Sequence, residues 1–334
     1  MSNCFNPANI LLPNDCIDME KWSVIACDQF TSQADYWDAV EKHVADAPST
    51  LNVVFPEIYL GTITKQENDC NSSGDGVKND KETGRKTKYA SMTDDERIKY
   101  INTTMETYLT DGTLKQAVAD GYVLVERTTE SGVRLGIVGL IDLDDYDFDP
   151  KKKTLIRATE GTVISRIPPR VKIRENAAIE LPHVMLLVDD PIDRQKIDGC
   201  QGATQEDAVN IAAVKHGIIE YVYAIRDTLR KLYDTELMQG GGHIRGYAVE
   251  GEAAKQVTEA FAAKQNSCGG FLFAVGDGNH SLATAKTCWE NIKKIGKFTE
   301  EQLKNHPARH ALVEICNLHS EALEFKPIHR LLTN

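Results

Sequence analysis

The sequence contains no hydrophobic run that approaches the roughly 20 apolar residues of a membrane-spanning helix. Its first residues, MSNCFNPANI, have neither the basic start nor the apolar core of a secretory signal peptide. The eight cysteines are scattered and include no C-x-x-C pair, so the spacing typical of zinc sites and disulfide frameworks is missing. These absences argue that the chain is neither a membrane protein nor a secreted protein. We expect a cytoplasmic protein with no membrane partner.

Positive charge is also scarce, because 38 Lys and Arg residues stand against 50 Asp and Glu residues, a formal net charge of −12. Proteins that follow a phosphate backbone normally carry a basic surplus, so we expect no nucleic-acid partner. A small anionic ligand remains compatible, since it needs only a local basic pocket. The 41% hydrophobic and 26% charged content is that of a globular protein, and 334 residues suffice for about two domains.

The hydrophobic pattern predicts an α+β fold, with a mixed sheet, flanking helices and an N-terminal antiparallel hairpin. The hairpin is indicated by YVLVERTTESGVRLGIVGLIDL, in which a short turn at 130–132 joins two strands. A helix is predicted after Thr93, because Thr93 and Glu96 have capping-box spacing. Other patterns predict a strand at 23–27 and two helices within 205–237.

Two polar segments suggest how the chain is organised. Residues 65–88 contain almost nothing apolar, which predicts an exposed and mobile loop. The charged link at 144–153 predicts a boundary between an N-terminal α+β region, 1–150, and a C-terminal α/β region, 151–334.

The stretch FAVGDGNHSLATAKTCW indicates a strand, a turn and a helix in immediate succession. A helix start exposes unpaired N–H groups and a partial positive charge, so such a turn can bind an anion. Its glycines would let the backbone approach a phosphate, and its polar side chains would contact the ligand. The candidate residues are Gly276, Asp277, Gly278, Asn279, His280 and Ser281.

Each polar residue of this turn has a chemical role in the anion-site interpretation. Asp277 would bind Mg²⁺, while His280 and Ser281 would donate hydrogen bonds to phosphate oxygens. The alternative is a purely structural turn, in which glycine supplies a positive φ and Asn279 or Ser281 caps the helix. The sequence leaves both interpretations open.

A basic segment, IRATEGTVISRIPPRVKIRENA, is unusual in an acidic protein. Val171 and Ile173 alternate with charged residues, which predicts a strand with one basic face. Such a face can bind phosphate or carboxylate through paired hydrogen bonds, although a solvated edge strand carries similar charge. The candidate cofactor-binding residues of the segment are Arg157, Glu160, Thr162, Arg166, Arg170 and Arg174.

Four stretches resemble the microbial family known as domain of unknown function 1015: WSVIACDQFTS, IRATEGTVISRIPPRVKIRENA, GDGNHSLATAK and FKPIHRLL. They span nearly the whole chain. Many members of this family have D-G-H-H-R at the positions of residues 277–281. That signature is similar to one in free-serine kinases of the ParB/sulfiredoxin-like superfamily, which implies a fold of that type in the second half. Asp277, Gly278 and His280 match this signature. Asn279 departs from it mildly, whereas Ser281 replaces an arginine and removes a fixed positive charge.

The resemblance implies phosphoryl transfer from a nucleotide to a small hydroxyl compound, such as free serine. In the kinases the turn holds the nucleotide phosphates, and an upstream glutamate deprotonates the serine hydroxyl. ATP or ADP with Mg²⁺ is therefore the implied cofactor. Asp277 would bind the metal and would be catalytic together with His280, while either Glu250 or Asp28, a carboxylate at the end of the predicted strand 23–27, would be the catalytic base.

The charge lost at Ser281 has several candidate replacements, namely Arg157, Arg166, Arg170 and Arg330. Arg330 and His329 lie in the FKPIHRLL stretch and are assigned to the cofactor site with the turn. Family members continue beyond this stretch, so the resemblance implies a shortened chain. Two other functions stay open: a nucleotide-binding regulatory module without turnover, and a metal-dependent hydrolase using histidines 306, 310 and 319.

Overall fold

The computed structural model describes residues 3–26, 30, 33–60, 89, 91–181, 184–192, 211 and 216–323, and the structural statements below concern these residues. Several predictions fall outside them. These are the mobile loop at 65–88, the candidate base Asp28, and the cofactor residues His329 and Arg330.

A mixed sheet of eleven strands organises the described part of the chain. The strands are β1 (Phe5–Asn6), β2 (Ala8–Pro13), β3 (Leu114–Thr129), β4 (Gly132–Asp142), β5 (Tyr146–Asp147), β6 (Ile156–Arg157), β7 (Val184–Val188), β8 (Arg230–Glu236), β9 (His243–Val249), β10 (Phe273–Asp277) and β11 (His310–Asn317). Their order is β5-β6-β10-β7-β11-β4-β3-β9-β8, with β1 paired to β4 and β2 paired to β3. The pairs β5–β6, β6–β10 and β7–β11 are parallel, and the other pairs are antiparallel.

Helices accompany the sheet along the chain. They are α1 (Met19–Trp22), α2 (Ala34–Val44), α3 (Asp94–Thr110), α4 (Ile167–Arg174), α5 (Ile218–Ala224), α6 (Gly251–Ser267), α7 (Asn279–Ile295) and α8 (Glu300–Lys304). The capping box predicted for α3 is present, because the Thr93 hydroxyl accepts from the Glu96 amide and the Glu96 carboxylate accepts from the Thr93 amide. The predicted α+β class, with a mixed sheet, flanking helices and the β3–β4 hairpin, is confirmed.

The main hydrophobic core lies between one face of the sheet and the helices α5, α6 and α7. Leu124 and Val275 on that face pack in the same cluster as Phe261 of α6 and Trp289 of α7. The N-terminal helices form two further clusters, which contain Trp37 and Trp22 respectively. No helix in the described residues is both long enough and apolar enough to cross a membrane.

The predicted boundary at 144–153 does not coincide with a break in the sheet. The hairpin β3–β4 comes from the first region, yet β4 pairs with β11 and β3 pairs with β9, both from the second region. Strands from both regions therefore alternate in one sheet, and the charged link connects two parts of the same layer.

Two predicted elements have a different conformation in the structure. Residues 23–26 form no strand, because α1 ends before Ser23 and the Val24 amide donates to the Thr50 hydroxyl instead of to a sheet neighbour. Within 205–237, helix α5 is followed by strand β8, which pairs with β9. The prediction of helix up to residue 237 is therefore wrong for 230–236.

The basic segment is also helical where a strand was predicted. Residues Ile167–Arg174 form α4, which has proline in its first turn and packs against α7. Proline lacks an N–H, and the first turn of a helix is where this loss costs least. The P-P pair at 168–169 thus outweighs the alternation of Val171 and Ile173, and there is no basic strand face here.

Candidate functional site

The glycine turn joins β10 to α7, as the sequence predicts. The ladder between β10 and β7 shifts register between Val275 and Asp277, so Gly276 lies in a bulge. A Cβ at Gly276 would lie 2.9 Å from the Leu187 Cγ, which leaves little room for any side chain. Gly278 precedes the helix with φ 85° and ψ 28°, a left-handed conformation that favours glycine.

The start of α7 carries no side-chain cap. The first α-helical hydrogen bond runs from the Leu282 amide to the Gly278 carbonyl at 2.9 Å, so the amides of residues 279–281 precede the helical ladder. Neither Asn279 nor Ser281 plays the capping part that the structural interpretation gives it. The helix therefore presents its partial positive charge at the end of β10.

Asn279 instead fastens the turn to the segment that follows β6. Its side chain is buried, accepts from the Thr159 amide at 3.2 Å and donates to the Thr159 hydroxyl at 3.3 Å. The same hydroxyl donates to the Val275 carbonyl at 2.6 Å. The fold thus brings together the glycine turn and the start of the basic segment, which lie more than 100 residues apart in the sequence.

His280 makes a second link to this segment. Its Nε2 accepts a hydrogen bond from the Val163 amide at 3.2 Å, which places the imidazole proton on Nδ1 in the neutral ring. The predicted donation to a phosphate through Nε2 would require this bond to break. In this structure His280 positions the 158–163 loop beside the helix start.

Asp277 is exposed at the end of β10, and its Oδ1 accepts from the Gly278 amide at 2.7 Å. Among the described residues, no three His, Cys, Asp or Glu side chains form a group that could hold a metal ion. Mg²⁺ commonly uses one or two carboxylates together with substrate phosphates and water. The residues present therefore fit an Mg²⁺ ion that arrives with a nucleotide, held by Asp277, and do not fit a protein-only metal cage.

Most of the predicted arginines are already engaged in structural contacts. Arg157 donates to the carbonyls of Thr154 and Gly270, and its guanidinium lies 4.4 Å from the centre of the Phe271 ring. Two arginines of α4 pair with acids of neighbouring segments, Arg170 with Glu57 and Arg174 with Glu180.

The other three candidates of this segment lie between β6 and α4. Arg166 is exposed and precedes α4, and Glu160 is exposed in the loop beside Thr159. The Thr162 hydroxyl is buried and has no hydrogen-bond partner among the described residues. Of the predicted arginines that the structure describes, Arg166 alone has no side-chain hydrogen bond, ion pair or ring contact within the described chain, so its charge is not compensated there.

Glu250 is not brought to the turn. It lies between β9 and α6, where it pairs with Arg230 at 2.8 Å. Because β9 is five strand positions from β10, the two strands lie about 24 Å apart at the ordinary strand spacing. This separation does not suit a base that acts on a ligand at the turn.

The histidines of the hydrolase hypothesis do not converge. The His306 ring is tilted against Trp289 and lies edge-on to Phe298, and its Nδ1 accepts from the Ala308 amide, while His319 pairs with Asp189. Nothing in the described chain supports this alternative.

One charged group near the turn was missed in the sequence. Arg134 of β4 donates through Nη2 to both carboxylate oxygens of Glu314 on β11, at 3.3 and 3.1 Å. The register sets Asp277 opposite Met185 and Met185 opposite Glu314, so the turn and the ion pair lie two strands apart. The detectable signal was an acid within the apolar strand ALVEICNL.

A sequence model of the family described as protein of unknown function (DUF1015) matches residues 81–334. This match covers well over half of the chain, so the chain belongs to that family. A search of the curated proteins and a search of the solved structures found no match to this chain.

Proposed function

We propose that this member of the DUF1015 family is a nucleotide-dependent phosphotransferase that uses ATP or ADP with Mg²⁺ and acts on a small hydroxyl compound. Free serine is one such compound. The observation that carries the proposal is the uncapped start of α7 behind a left-handed glycine, with the 158–163 loop fastened beside it.

The chemistry of phosphoryl transfer needs few specialised groups. It depends mainly on positioning the phosphate and on neutralising the charge that develops on its oxygens. Backbone amides at a helix start meet the first need, because they are aligned before the ligand arrives. Asp277 would hold the Mg²⁺ ion that supplies further charge neutralisation, and Arg166 would add a cation from the loop.

The departure at Ser281 supports a second candidate function, a regulatory module that binds a nucleotide without small-molecule turnover. A hydroxyl in place of the arginine leaves phosphate binding by the amides intact while weakening charge stabilisation in the transition state. The contacts from Asn279 and His280 to the loop give such a module a segment whose position a bound phosphate would affect.

Release of ADP or AMP, measured with a panel of hydroxyl acceptors that includes serine, tests the enzyme directly. With the right acceptor we expect Asp277→Asn to lower kcat/KM by roughly 100-fold, as the loss of a charge-stabilising group does in other sites. Asp227→Asn is the matched control, because Asp227 is an equally charged, exposed residue outside the turn. An unchanged rate in Asp277→Asn would refute the role of this carboxylate.

The same experiment separates the two candidates. Nucleotide binding without acceptor-dependent release of product would establish the module and exclude the phosphotransferase. If no nucleotide raises the melting temperature with or without Mg²⁺, both candidates fail, because a ligand of the native state must stabilise it.

A further inference from the structure

The Arg134–Glu314 pair lies on the sheet face opposite the main core. Ile137 of β4 and Ile315 of β11 belong to the core cluster, and side chains alternate between faces along a strand. Arg134 and Glu314 therefore point to the other face. Their side chains are 23% and 19% exposed, so the pair lies at the protein surface, although the Arg134 Nε atom itself is buried.

Two glycines shape this face around the pair. A Cβ at Gly136 would lie 2.3 Å from the Glu314 Oε1, and a Cβ at Gly246 would lie 2.6 Å from the Tyr233 hydroxyl oxygen. The side chains of Glu314 and Tyr233 thus pack directly on the backbone of Gly136 and Gly246, where any larger residue would clash with them. Burial raises the pKa of Tyr233 above its ordinary value and the Glu314 carboxylate adds to this, so the phenol stays protonated at neutral pH.

Arg134 has hydrogen-bonding capacity that the protein does not use. Glu314 is held through Nη2, whereas the buried Nε has no hydrogen-bond partner among the described residues. Buried N–H groups are nearly always paired in native proteins, so an unpaired one needs an explanation. A guanidinium forms charge-assisted hydrogen bonds with a carboxylate, and Nε is the Arg134 donor that Glu314 leaves unpaired.

Arg134 interacts electrostatically with the glycine turn. Burial alone would lower the pKa of Arg134, but the carboxylate of Glu314 above all, and then that of Asp277, raise it above its ordinary value. Arg134 is therefore cationic at neutral pH, and the Asp277 carboxylate of the turn helps to stabilise that charge. A ligand that spans the two groups would meet phosphate-binding amides at one end and a cation at the other.

We infer that Arg134, oriented by Glu314, binds the carboxylate of the acceptor, so that the site takes small hydroxy-carboxylates in preference to neutral or amino alcohols. This inference rests on the proposed phosphotransferase function for the role of the acceptor hydroxyl. The binding of the carboxylate itself needs no nucleotide, so the two ideas can fail separately.

Three matched pairs of probes isolate the carboxylate: L-serine with ethanolamine, glycerate with ethylene glycol, and lactate with ethanol. Their dissociation constants are measured by NMR titration of the full chain without nucleotide. We expect at least one acid to bind roughly tenfold or more tighter than its partner, the scale of one charge-assisted contact. In Arg134→Gln that ratio should fall to about one, and in Arg134→Lys it should be intermediate because the fork is lost but the charge remains.

Arg245→Gln is the matched control, since Arg245 forms a similar ion pair with Glu126 on the same sheet. It should leave the ratio unchanged. If Arg134→Gln does not fold, the ratio measured in Arg134→Lys tests the inference, because it should lie below that of the wild-type chain. The inference is overturned if the wild-type chain shows no preference for any acid, or if the preference survives in both Arg134 variants.

The outcome for the proposed function is read separately. An Arg134-dependent preference without phosphoryl transfer keeps the carboxylate site and removes the kinase. Transfer to the decarboxylated partners at the rate of the acids keeps the kinase and removes the carboxylate site.

Discussion

Arg97 and Arg134 are both arginines with unpaired nitrogen atoms inside the protein, but their surroundings differ. Arg97 of α3 is 1% exposed, and its guanidinium lies 3.9 Å from the centre of the Tyr89 ring and 5.2 Å from that of Tyr59. Its Nη2 donates to the Leu51 carbonyl. Aromatic faces and carbonyls enclose this cation, and burial lowers its pKa.

Arg134 lies in an open setting by comparison. An acid holds one of its nitrogens, and part of the side chain reaches the surface. No aromatic ring covers its guanidinium within the described chain, so its unpaired Nε lacks the ring contacts that surround Arg97. An unsatisfied donor therefore indicates a ligand only where the side chain reaches the surface and the protein offers no substitute partner.

Replacing Arg97 should have the largest effect on stability. Arg97→Ala removes a fully buried side chain, and we expect a loss of about 3–5 kcal/mol in the free energy of unfolding, as for other large-to-alanine core changes. Urea denaturation measures this loss. Arg97→Met, which refills the volume without a charge, should recover most of it.

The same Arg97 variants test the comparison itself. Where they fold, their preference for hydroxy-carboxylates should equal that of the wild-type chain, unlike that of Arg134→Gln. A loss of the preference in Arg97→Met would show that the closed cluster also serves the ligand, and the contrast between the two arginines would fail.

Gly278→Ala should have an intermediate effect on stability. Alanine in the left-handed conformation of Gly278 costs roughly 1–2 kcal/mol, because its Cβ crowds the carbonyl oxygen. The matched control is Gly296→Ala at the other end of α7, where φ is 66° and a Cβ would meet nothing within 4 Å.

The two glycine variants should lose similar stability in thermal unfolding but differ in ligand binding. Gly278→Ala changes the approach to the helix start, so its nucleotide affinity should fall, whereas Gly296→Ala should keep it. Equal affinities in both variants would contradict the open turn as the phosphate site.

Asp145 is an acid with an unpaired buried atom, and replacing it should have the smallest effect on stability of the three substitutions. Burial, followed by the charge of Asp142, raises the pKa of Asp145 to about 6, and its Oδ2 is buried without a partner among the described residues. The folded state therefore binds a proton more tightly than the unfolded state. The contribution of Asp145 to stability should therefore fall as the pH rises from 4 through 6, by about 1 kcal/mol after allowance for solvent screening.

Asp145→Asn removes this titration. Its advantage over the wild-type chain in denaturant unfolding should grow between pH 4 and pH 7 and then stay constant. A constant difference over the whole range would mean that the site does not raise the pKa of this carboxyl.

Local signals in the sequence predicted the elements that depend on neighbouring residues. The capping box of Thr93 and Glu96, the β3–β4 hairpin and the strand–turn–helix around Gly278 are all specified by residues within a few positions of one another. The prolines that start α4 are such a signal too, and here they indicate the structure better than the alternation of Val171 and Ile173 does.

Contacts between distant segments could not be predicted in this way. Nothing near Asn279 indicates that Thr159 is its partner, and the register that sets Met185 between Asp277 and Glu314 follows from the packing of three strands. The candidate base Glu250 was placed by its position in the sequence, whereas the sheet order decides its distance from the turn.

The position of β11 between β4 and β7 has a consequence for biosynthesis. The edge of β4 that accepts β11 is translated about 170 residues before its partner, since Ile141 pairs with Ala311. Until then the nascent chain exposes unpaired backbone groups on an apolar strand, a surface prone to association with other chains. We therefore expect this protein to depend on chaperones during synthesis and to complete its sheet late, as chains with many long-range pairings do.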